Sequence, residues 1–145
     1  MSTTTDLIDR YYAALARADW AAYDDLVAPD ATFAFSGGVD VTGPDGMRMF
    51  DRVWKDACPD FVLEARQPID TGDRVAVVCH YSGTHTEVLH LPEGDIPPTG
   101  KHIEGDGVSL FEVAGGQITS QRVYVDRLDL MQQLGLLPEP AAAGA

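Results

Sequence analysis

Hydrophobic and polar residues alternate through most of the second half of the chain. The alternation covers four segments: FVLEARQPID at 61–70, RVAVVCHYSGTH at 74–85, HIEGDGVSLFEV at 102–113 and QITSQRVYVD at 117–126. A period of two sends successive side chains to opposite faces of a β-strand, so each segment predicts a strand that buries one face. TGD and AGG between paired segments predict tight turns, because glycine readily adopts positive φ. The four segments together predict an antiparallel sheet.

Helical periodicity dominates the first third of the chain. Three helices are predicted there: one near the N-terminus, a short one that begins at about Asp19 and stops before Pro29, and one over 43–59 with Pro44 in its first turn. The residue before a proline avoids helical torsions, which sets the end of the second helix. Between the second and third helices, ATFAFSG at 31–37 predicts a short strand.

Helices followed by a run of strands predict an α+β domain. A curved antiparallel sheet wrapped over the helices would make a cone-shaped fold with an internal cavity. We expect this single domain to cover residues 1–138, with an irregular, proline-containing loop at 89–100. The segment at 139–145 is predicted to be a disordered tail.

The composition limits the classes of partner. The chain has 145 residues with 23 acidic and 10 basic side chains, and its net charge of −13 opposes binding to nucleic acid or to anionic membranes. No apolar run approaches the roughly 18 residues that cross a bilayer. The start MSTTTDLIDRYY has neither the cationic beginning nor the apolar core of a secretory signal. We therefore expect a cytoplasmic protein that binds an apolar, uncharged or weakly charged small molecule.

The order of these elements and the closing segment GQITSQRVYVDRLDLMQQLGLLP resemble the SnoaL-like polyketide cyclase family, within the nuclear-transport-factor-2-like (ketosteroid isomerase-like) superfamily. The other matching pieces are YYAALARADWAAYDDLVAPDATF, YSGTHTEVL and PPTGKHIEGDGVSLFEVAGGQI, so the resemblance covers nearly the whole chain. It implies a cone-shaped fold, an internal cavity without a cofactor, a homodimer formed through the sheet, and a small-molecule substrate of the polyketide type.

The same resemblance places the family's acid/base positions on residues that transfer protons poorly. The aldol cyclases of the family use an aspartate on the last strand, three residues before the aspartate that corresponds to Asp126, and that position holds Val123 here. Their assisting histidine, on the preceding strand, corresponds to Ser109. The family's strand orientation would turn Val123 and Ser109 toward the cavity and would turn Arg122 and Tyr124 away from it.

Asp126 is the first candidate for a catalytic acid/base, because a carboxylate at the end of the last strand would lie at the rim of the cavity. The alternative is that Asp126 caps the following helix by accepting backbone N–H bonds. Arg122 and Tyr124 alternate with the valines of this strand and so share a face with Asp126. If that face is turned inward, the three form one catalytic cluster, in which Arg122 holds a carboxylate or enolate oxygen.

His80 and His85 are the next catalytic candidates, since histidine titrates near neutral pH. His80 lies within VVCHYS and is expected to line the cavity, while His85 belongs to the GTHT piece at the strand end. The alternative for each is a structural, hydrogen-bonded histidine. His80, His85 and His90 are spaced by five, an odd number that puts neighbours on opposite strand faces. No metal site is therefore predicted.

Two further groups are predicted to be structural. Cys58 and Cys79 lack metal-ligand spacing, and in a cytosolic chain they indicate two small core residues rather than a disulfide. His102, Glu104 and Asp106 share one strand face, which the family's orientation turns outward toward solvent or a dimer partner. The alternative is a bulge at Gly105 and Gly107, which would reverse the parity and turn the three side chains inward as an acid/base cluster.

Aromatic residues are more numerous than a core of this size requires, and several are expected to stack on a flat apolar ligand. The sequence has no G-x-G-x-x-G after a strand, no P-loop and no G-x-S-x-G, so no nucleotide or flavin cofactor is predicted. The predicted substrate-binding residues are Tyr12, Phe33, Phe35, Phe50, Trp54, Ser109, Phe111 and Val123.

These observations predict a small, cofactor-free enzyme of secondary metabolism that performs acid/base chemistry on an apolar, polycyclic substrate of the polyketide type. Aldol-type ring closure, isomerisation, epoxide hydrolysis and partner-assisted hydroxylation all suit the fold. Two other classes stay open: a binding module that stores or carries an apolar ligand, and a dimeric accessory subunit of another enzyme. Two or more cavity groups hydrogen-bonded to one another would favour the enzyme, and none would favour the binding module.

Overall fold

The computed structural model describes residues 3–36, 39–91 and 94–137. Within these residues the helices are α1 (Thr3–Ala16), α2 (Trp20–Asp25), α3 (Gly43–Ala57) and α4 (Arg127–Gln133). No helix of the described residues is long and apolar enough to span a membrane. The predicted tail at 139–145 lies outside the described residues.

Six strands form one curved sheet in the order β2-β1-β8-β7-β4-β3, and two more form a separate ribbon. Helices and sheet together make an α+β domain, which confirms the predicted class. All four strands predicted from alternation are present, and the glycines of both predicted turns have positive φ. The strands are β1 (Val27–Phe35), β2 (Val39–Thr42), β3 (Val62–Asp70), β4 (Arg74–Thr84), β5 (Leu89–Leu91), β6 (Gly94–Ile96), β7 (His102–Ala114) and β8 (Gln117–Val125).

The sheet is mixed, which corrects the expectation of a wholly antiparallel one. Strand β1 pairs in parallel with β8, with Phe33 opposite Gln121 and Phe35 opposite Val123. The other pairings of the six-stranded sheet are antiparallel. Parallel neighbours need a long connection, and most of the chain lies between these two strands. Alternation within a strand is the same for either kind of neighbour, so it does not reveal direction.

The segment predicted as an irregular loop at 89–100 contains a two-stranded antiparallel ribbon of β5 and β6. Strand β2 was also not predicted. Strands of three or four residues offer too few positions for an alternating pattern to be recognised. The ribbon contributes to the core through Leu89, which is fully buried.

Alternate residues of the long strands face the helices. On β8, Val123 and Val125 point inward, whereas Arg122 and Tyr124 are exposed on the opposite face of the sheet. The strand orientation implied by the family resemblance is therefore confirmed. The same alternation holds on β4, where the buried side chains are Val75, Val77, Cys79 and Tyr81.

Helices α1 and α3 cover the inner face because their apolar residues recur every three or four positions. Tyr11 and Tyr12 of α1 pack edge-on against Phe111 of β7, with ring centroids 5.6 and 6.0 Å away. Phe50 of α3 packs on Phe35 of β1 at 4.7 Å. These contacts hold the two helices on different parts of the sheet and leave space between them.

Two glycines of β7 have no side chain on the inner face of the sheet, next to that space. A Cβ atom on Gly105 would lie 2.6 Å from the Tyr81 hydroxyl oxygen, and one on Gly107 would lie 2.7 Å from a methyl carbon of Val125. Contacts this short require a neighbour to move. The side chains of Tyr81 and Val125 therefore occupy room that only glycine leaves free.

Candidate functional site

A cavity lies between the inner face of the sheet and helices α1, α3 and α4. It encloses about 710 Å³ of empty space including its open mouth, of which about 80 Å³ accommodates the centres of water-sized molecules. Most of the lining is apolar: Leu15, Phe35, Trp54, Phe61, Leu63, Ile103, Gly107, Val123, Val125 and Leu130. The polar lining residues are Tyr11, Asp51, Cys79, Tyr81, Ser109 and Gln121, and the indole N–H of Trp54 is one further polar group.

Three of these polar residues, joined by Tyr23, form a hydrogen-bonded cluster at one end of the cavity. The Tyr23 hydroxyl donates to Asp51 Oδ2 at 2.6 Å. The Tyr11 hydroxyl lies 3.0 Å from Asp51 Oδ2 and 3.0 Å from Gln121 Oε1, so two acceptors compete for its single proton. Residues from α1, α2 and α3 thus meet at one carboxyl group, and Gln121 of β8 joins the cluster through the Tyr11 hydroxyl.

Burial of its carboxyl group raises the pKa of Asp51 from 3.8 to about 6, although the hydrogen bonds from Tyr23 and Tyr11 oppose the shift. Burial also raises the pKa of Tyr11 and of Tyr23 well above the ordinary value, and the nearby Asp51 charge adds to both shifts. Asp51 therefore changes protonation close to neutral pH, while the two tyrosines stay protonated and act as donors.

One carboxyl oxygen of Asp51 is available to accept a proton from a substrate. Both tyrosine hydroxyls contact Oδ2, and among the described residues no hydrogen bond reaches Oδ1. A carboxylate fixed through one oxygen and free at the other, on a cavity wall, has the arrangement of a general base. Its pKa also lies near the value that suits proton transfer at neutral pH.

A second polar group lies on the inner face of β4 and β7. The Tyr12 hydroxyl is 3.0 Å from Cys79 Sγ, and Cys79 Sγ is 3.6 Å from Ser109 Oγ. Cys79 and Ser109 line the cavity, whereas Tyr12 lies behind them in the core. Cys79 and Ser109 therefore give the cavity floor a weakly polar spot beside its apolar residues.

The structure places Asp126, Arg122 and Tyr124 outside the cavity. The Asp126 carboxylate accepts the Asp129 backbone N–H at 2.9 Å and is the N-cap of α4, as in the alternative considered above. Arg122 and Tyr124 lie on the outer face of β8, with 48% of Tyr124 exposed. The condition for a catalytic cluster of these three residues, an inward face for Arg122 and Tyr124, is therefore not met, because the valines of β8 take the inward positions.

His80 also points away from the cavity, which corrects the expectation that it lines it. Its inward neighbours on β4 are Cys79 and Tyr81, so alternation sends His80 to the outer face. There its ring nitrogens lie 2.7 Å from an Asp106 oxygen and 2.9 Å from a Glu104 oxygen. The hydrogen bond with Asp106 raises the pKa of His80. The outward facing of Glu104 and Asp106 is as predicted.

His85 is fully buried but is not part of the cavity lining. Its Nδ1 accepts the Thr99 backbone N–H at 3.3 Å and lies 3.0 Å from the Thr99 hydroxyl, which leaves the ring proton on Nε2. Burial lowers the pKa of His85, so the ring is neutral at physiological pH. These contacts tie the end of β4 to the segment after β6, a structural role.

Half of the predicted substrate-binding residues line the cavity. Phe35, Trp54, Ser109 and Val123 are in its wall. The other four are close by but are covered by the lining or packed in the core: Tyr12, Phe33, Phe50 and Phe111. The described residues contain no group of three or more His, Cys, Asp or Glu side chains that could hold a metal ion.

Asp51 is the residue that the sequence reading did not identify. A signal was present, since Asp51 lies four residues after Met47 and three before Trp54, within the buried stripe of α3. A carboxylate in the apolar stripe of an amphipathic helix is expensive unless it has partners. Gln121 gave a parallel signal, because it shares the inward face of β8 with Val123 and Val125.

The comparisons with known proteins agree with this architecture. Among solved structures, a candidate SnoaL-like polyketide cyclase from Jannaschia sp. CCS1 has a TM-score of 0.81 at 20% identity, over 94% of each chain. IdmH, a candidate polyketide cyclase from Streptomyces antibioticus, has a TM-score of 0.75 at 26% identity, over 90% of this chain and 97% of that one. An LEH-like epoxide hydrolase from M. tuberculosis has a TM-score of 0.67 at 18% identity, over 89% and 86%.

No curated protein matches this sequence. The model of the SnoaL-like polyketide cyclase family, in contrast, matches residues 5–134. This range includes most of α1, the whole of α2, α3 and α4, and all eight described strands. The chain therefore belongs to the SnoaL-like polyketide cyclase family.

Proposed function

We propose that the protein is a cofactor-free enzyme of secondary metabolism that transfers protons on an apolar, polycyclic substrate of the polyketide type, with Asp51 as its general base. The observation that carries this proposal is the buried carboxyl group on the cavity wall, held at Oδ2 by Tyr23 and Tyr11 and free at Oδ1. Hydrogen-bonded polar groups in the cavity favour an enzyme over a passive binding module.

The proposed chemistry begins with ionised Asp51 removing a proton from a carbon next to a substrate carbonyl. The Tyr23 hydroxyl steadies the carboxylate while it is charged. The amide of Gln121, whose Oε1 faces Tyr11, has its nitrogen left to donate to the carbonyl oxygen, where negative charge develops. Asp51 then returns the proton to a different carbon of a conjugated enolate, which shifts a double bond and isomerises the substrate. Alternatively, the enolate carbon attacks a second carbonyl, which closes a ring, and the resulting alkoxide takes the proton from Asp51.

The base in this proposal comes from helix α3 and not from the last strand. Val123 and Ser109 occupy the positions at which the resemblance implies the family's aspartate and histidine, and neither is a proton-transfer group. Asp51 reaches the same cavity from the opposite wall. The names of the similar structures include cyclases and an epoxide hydrolase. A carboxylate base suits both reactions, since it activates either a carbon acid or a water molecule.

A binding role is the second candidate, and the apolar lining of the cavity favours it. Nine of the lining residues present only hydrocarbon or backbone to a ligand, whereas an acid/base reaction needs several polar groups.

We also propose a cytoplasmic homodimer formed through the outer face of the sheet. The two cysteines, Cys58 and Cys79, are buried and unbridged, as a reducing compartment would leave them.

The test uses the bicyclic ketone 2-tetralone, whose acidic CH₂ group exchanges hydrogen for deuterium in D₂O and can be followed by proton NMR. The protein should accelerate exchange over buffer, and the rate should rise with pH through about 6 as Asp51 ionises. Asp51→Asn should reduce the enzymatic rate by about 100-fold or more, the usual contribution of a general base.

Asp126→Asn is the matched control, because it neutralises a carboxylate outside the cavity and should leave the exchange rate unchanged. Full exchange activity in the Asp51→Asn protein would contradict the assignment of the base. Binding of the ketone without any acceleration by the wild-type protein would favour the binding module.

A further inference from the structure

A side pocket adjoins the cavity at the end of helix α1. It encloses about 360 Å³ of empty space including its mouth and is lined by α1, α3 and the start of β3. Leu15, Phe61 and Leu63 line both spaces, so these three side chains lie between the side pocket and the cavity. A ligand longer than the cavity would extend into the side pocket past them.

Among the described residues that line the side pocket, Lys55 is the one with a charged side chain. Its ammonium group donates to the Ala16 carbonyl oxygen at 3.2 Å, which engages one of its three protons. No ion pair of the described residues includes Lys55. In contrast, Arg48 and Arg66 each pair with a carboxylate. Lys55 therefore has donors left for an anion.

The position of Lys55 on α3 relates it to the proposed base. Asp51 and Lys55 are four residues apart, so they lie on the same side of the helix about 6 Å apart along its axis. Trp54, between them in sequence, lines the cavity next to Asp51. One ligand can thus place its reactive part at Asp51 and its far end at Lys55.

The charges of the protein determine how a ligand with one anionic end is oriented. The chain carries a net charge of −13, and ionised Asp51 adds a negative charge to the inner cavity wall. An anionic group is repelled by both, so it would be held only at a local cation. The side pocket supplies such a cation, Lys55, in an otherwise apolar wall.

We propose that the side pocket is an anion subsite, which selects ligands with an apolar aromatic body in the cavity and a carboxylate group at Lys55. This inference rests on the proposed function of the cavity as a small-molecule site. It narrows the substrate class to apolar acids.

The test compares two probes that differ only in charge, 2-naphthoate and methyl 2-naphthoate, by fluorescence titration at about pH 8, where Asp51 with a pKa of about 6 is ionised. Wild-type protein should bind the carboxylate. Lys55→Gln should weaken carboxylate binding by about two- to fivefold, the worth of one partly exposed ion pair, and leave ester binding unchanged. Raising the salt from about 0.05 to 0.5 M should remove the difference between wild type and variant.

Two further variants control this experiment. Lys101→Gln removes the same charge from the other lysine of the chain, which does not line either space, and should bind both probes as wild type does. Lys55→Arg keeps the charge and should restore carboxylate binding. A Lys55→Gln protein that binds naphthoate like wild type, an equal loss in Lys101→Gln, or no naphthoate binding by wild type would each overturn the anion subsite. Ester binding that persists in those cases would leave the cavity's proposed function standing.

Discussion

Asp51 lowers the stability of the fold at the pH at which it would act. Its pKa rises from 3.8 to about 6 on burial, so the native state binds its proton more tightly than the unfolded chain. The stabilising effect of that proton is complete below pH 3.8 and is lost as pH rises to about 6. A shift of about two pKa units corresponds to about 3 kcal/mol, so ionisation costs up to that amount above pH 6.

Asp51→Asn should therefore stabilise the protein. We expect a gain of up to about 3 kcal/mol at pH 8 and about half of it at pH 5, measured by urea denaturation. Asp56→Asn, an exposed change on the same helix, should have little effect at either pH. A variant less stable than wild type at pH 8 would mean that the carboxylate is held favourably and that its burial is not costly.

Residue-scale chemistry is the part that sequence reasoning predicted least well. Histidines and the strand-end Asp126 were predicted to be acid/base groups because of their residue types. Alternation alone assigns His80 to the outer face once the inward face of β4 is fixed by Cys79 and Tyr81. Asp51 emerges only when α3, α1 and α2 are brought together, since its two tyrosine donors are 28 and 40 residues away in sequence.

Helix α4 shows how a short element is held in place. The Asp126 carboxylate caps its N-terminus, and the Gln133 side-chain amide bonds both the N–H and the C=O of Glu104, at 2.7 and 2.8 Å. Strand β8 stops at Val125, so the Gln133 amide takes the place of a neighbouring strand at the edge of β7. Buried Leu130 then closes one side of the cavity.

Asp126→Ala should cost about 0.5 to 2 kcal/mol of unfolding free energy, the usual worth of an N-cap. Asp126→Ser should keep most of the stabilisation by the N-cap, because the serine hydroxyl oxygen also accepts the Asp129 N–H. Thermal denaturation measures both changes, and ketone exchange in the same proteins should keep its pH dependence. An exchange rate that collapsed in Asp126→Ser at unchanged stability would restore Asp126 as a catalytic residue.

At the scale of elements, the sequence predicted the helices and strands that are long enough to show a local periodic pattern. Helices and strands of nine or more residues repeat their pattern often enough to be recognised, and α1, α3, β3, β4, β7 and β8 were all predicted. The ribbon of β5 and β6 was not, because three residues define no period. The parallel pairing of β1 with β8 depends on contacts across most of the chain, which no local window contains.

At the scale of the whole molecule, the outer face of the sheet carries the proposed dimer contact. Val108, Leu110 and Tyr124 are 39%, 42% and 48% exposed there, and β7 and β8 bring them side by side, with Val108 opposite Tyr124 and Leu110 opposite Arg122. An apolar row of this kind on a sheet surface is typical of an interaction site.

We expect a dimer in size-exclusion chromatography with light scattering, and a monomer when Leu110 is changed to Asp. Leu128→Asp is the control, because Leu128 is 60% exposed on α4, outside this face. A wild-type protein that runs as a monomer at micromolar concentration, or a Leu110→Asp dimer, would contradict the proposed interface.

The place of β8 in the sheet also has a consequence for synthesis on the ribosome. β8 lies between β1 and β7, so it is the strand that joins β2-β1 to β7-β4-β3. A nascent chain that has released everything up to β7 consists of two sheet fragments with no hydrogen bonds between them. Gln121, Val123 and Val125 of the cavity wall are not yet in place. A ligand in the cavity can therefore stabilise this domain only after β8 has left the ribosome, and it cannot assist the earlier steps of folding.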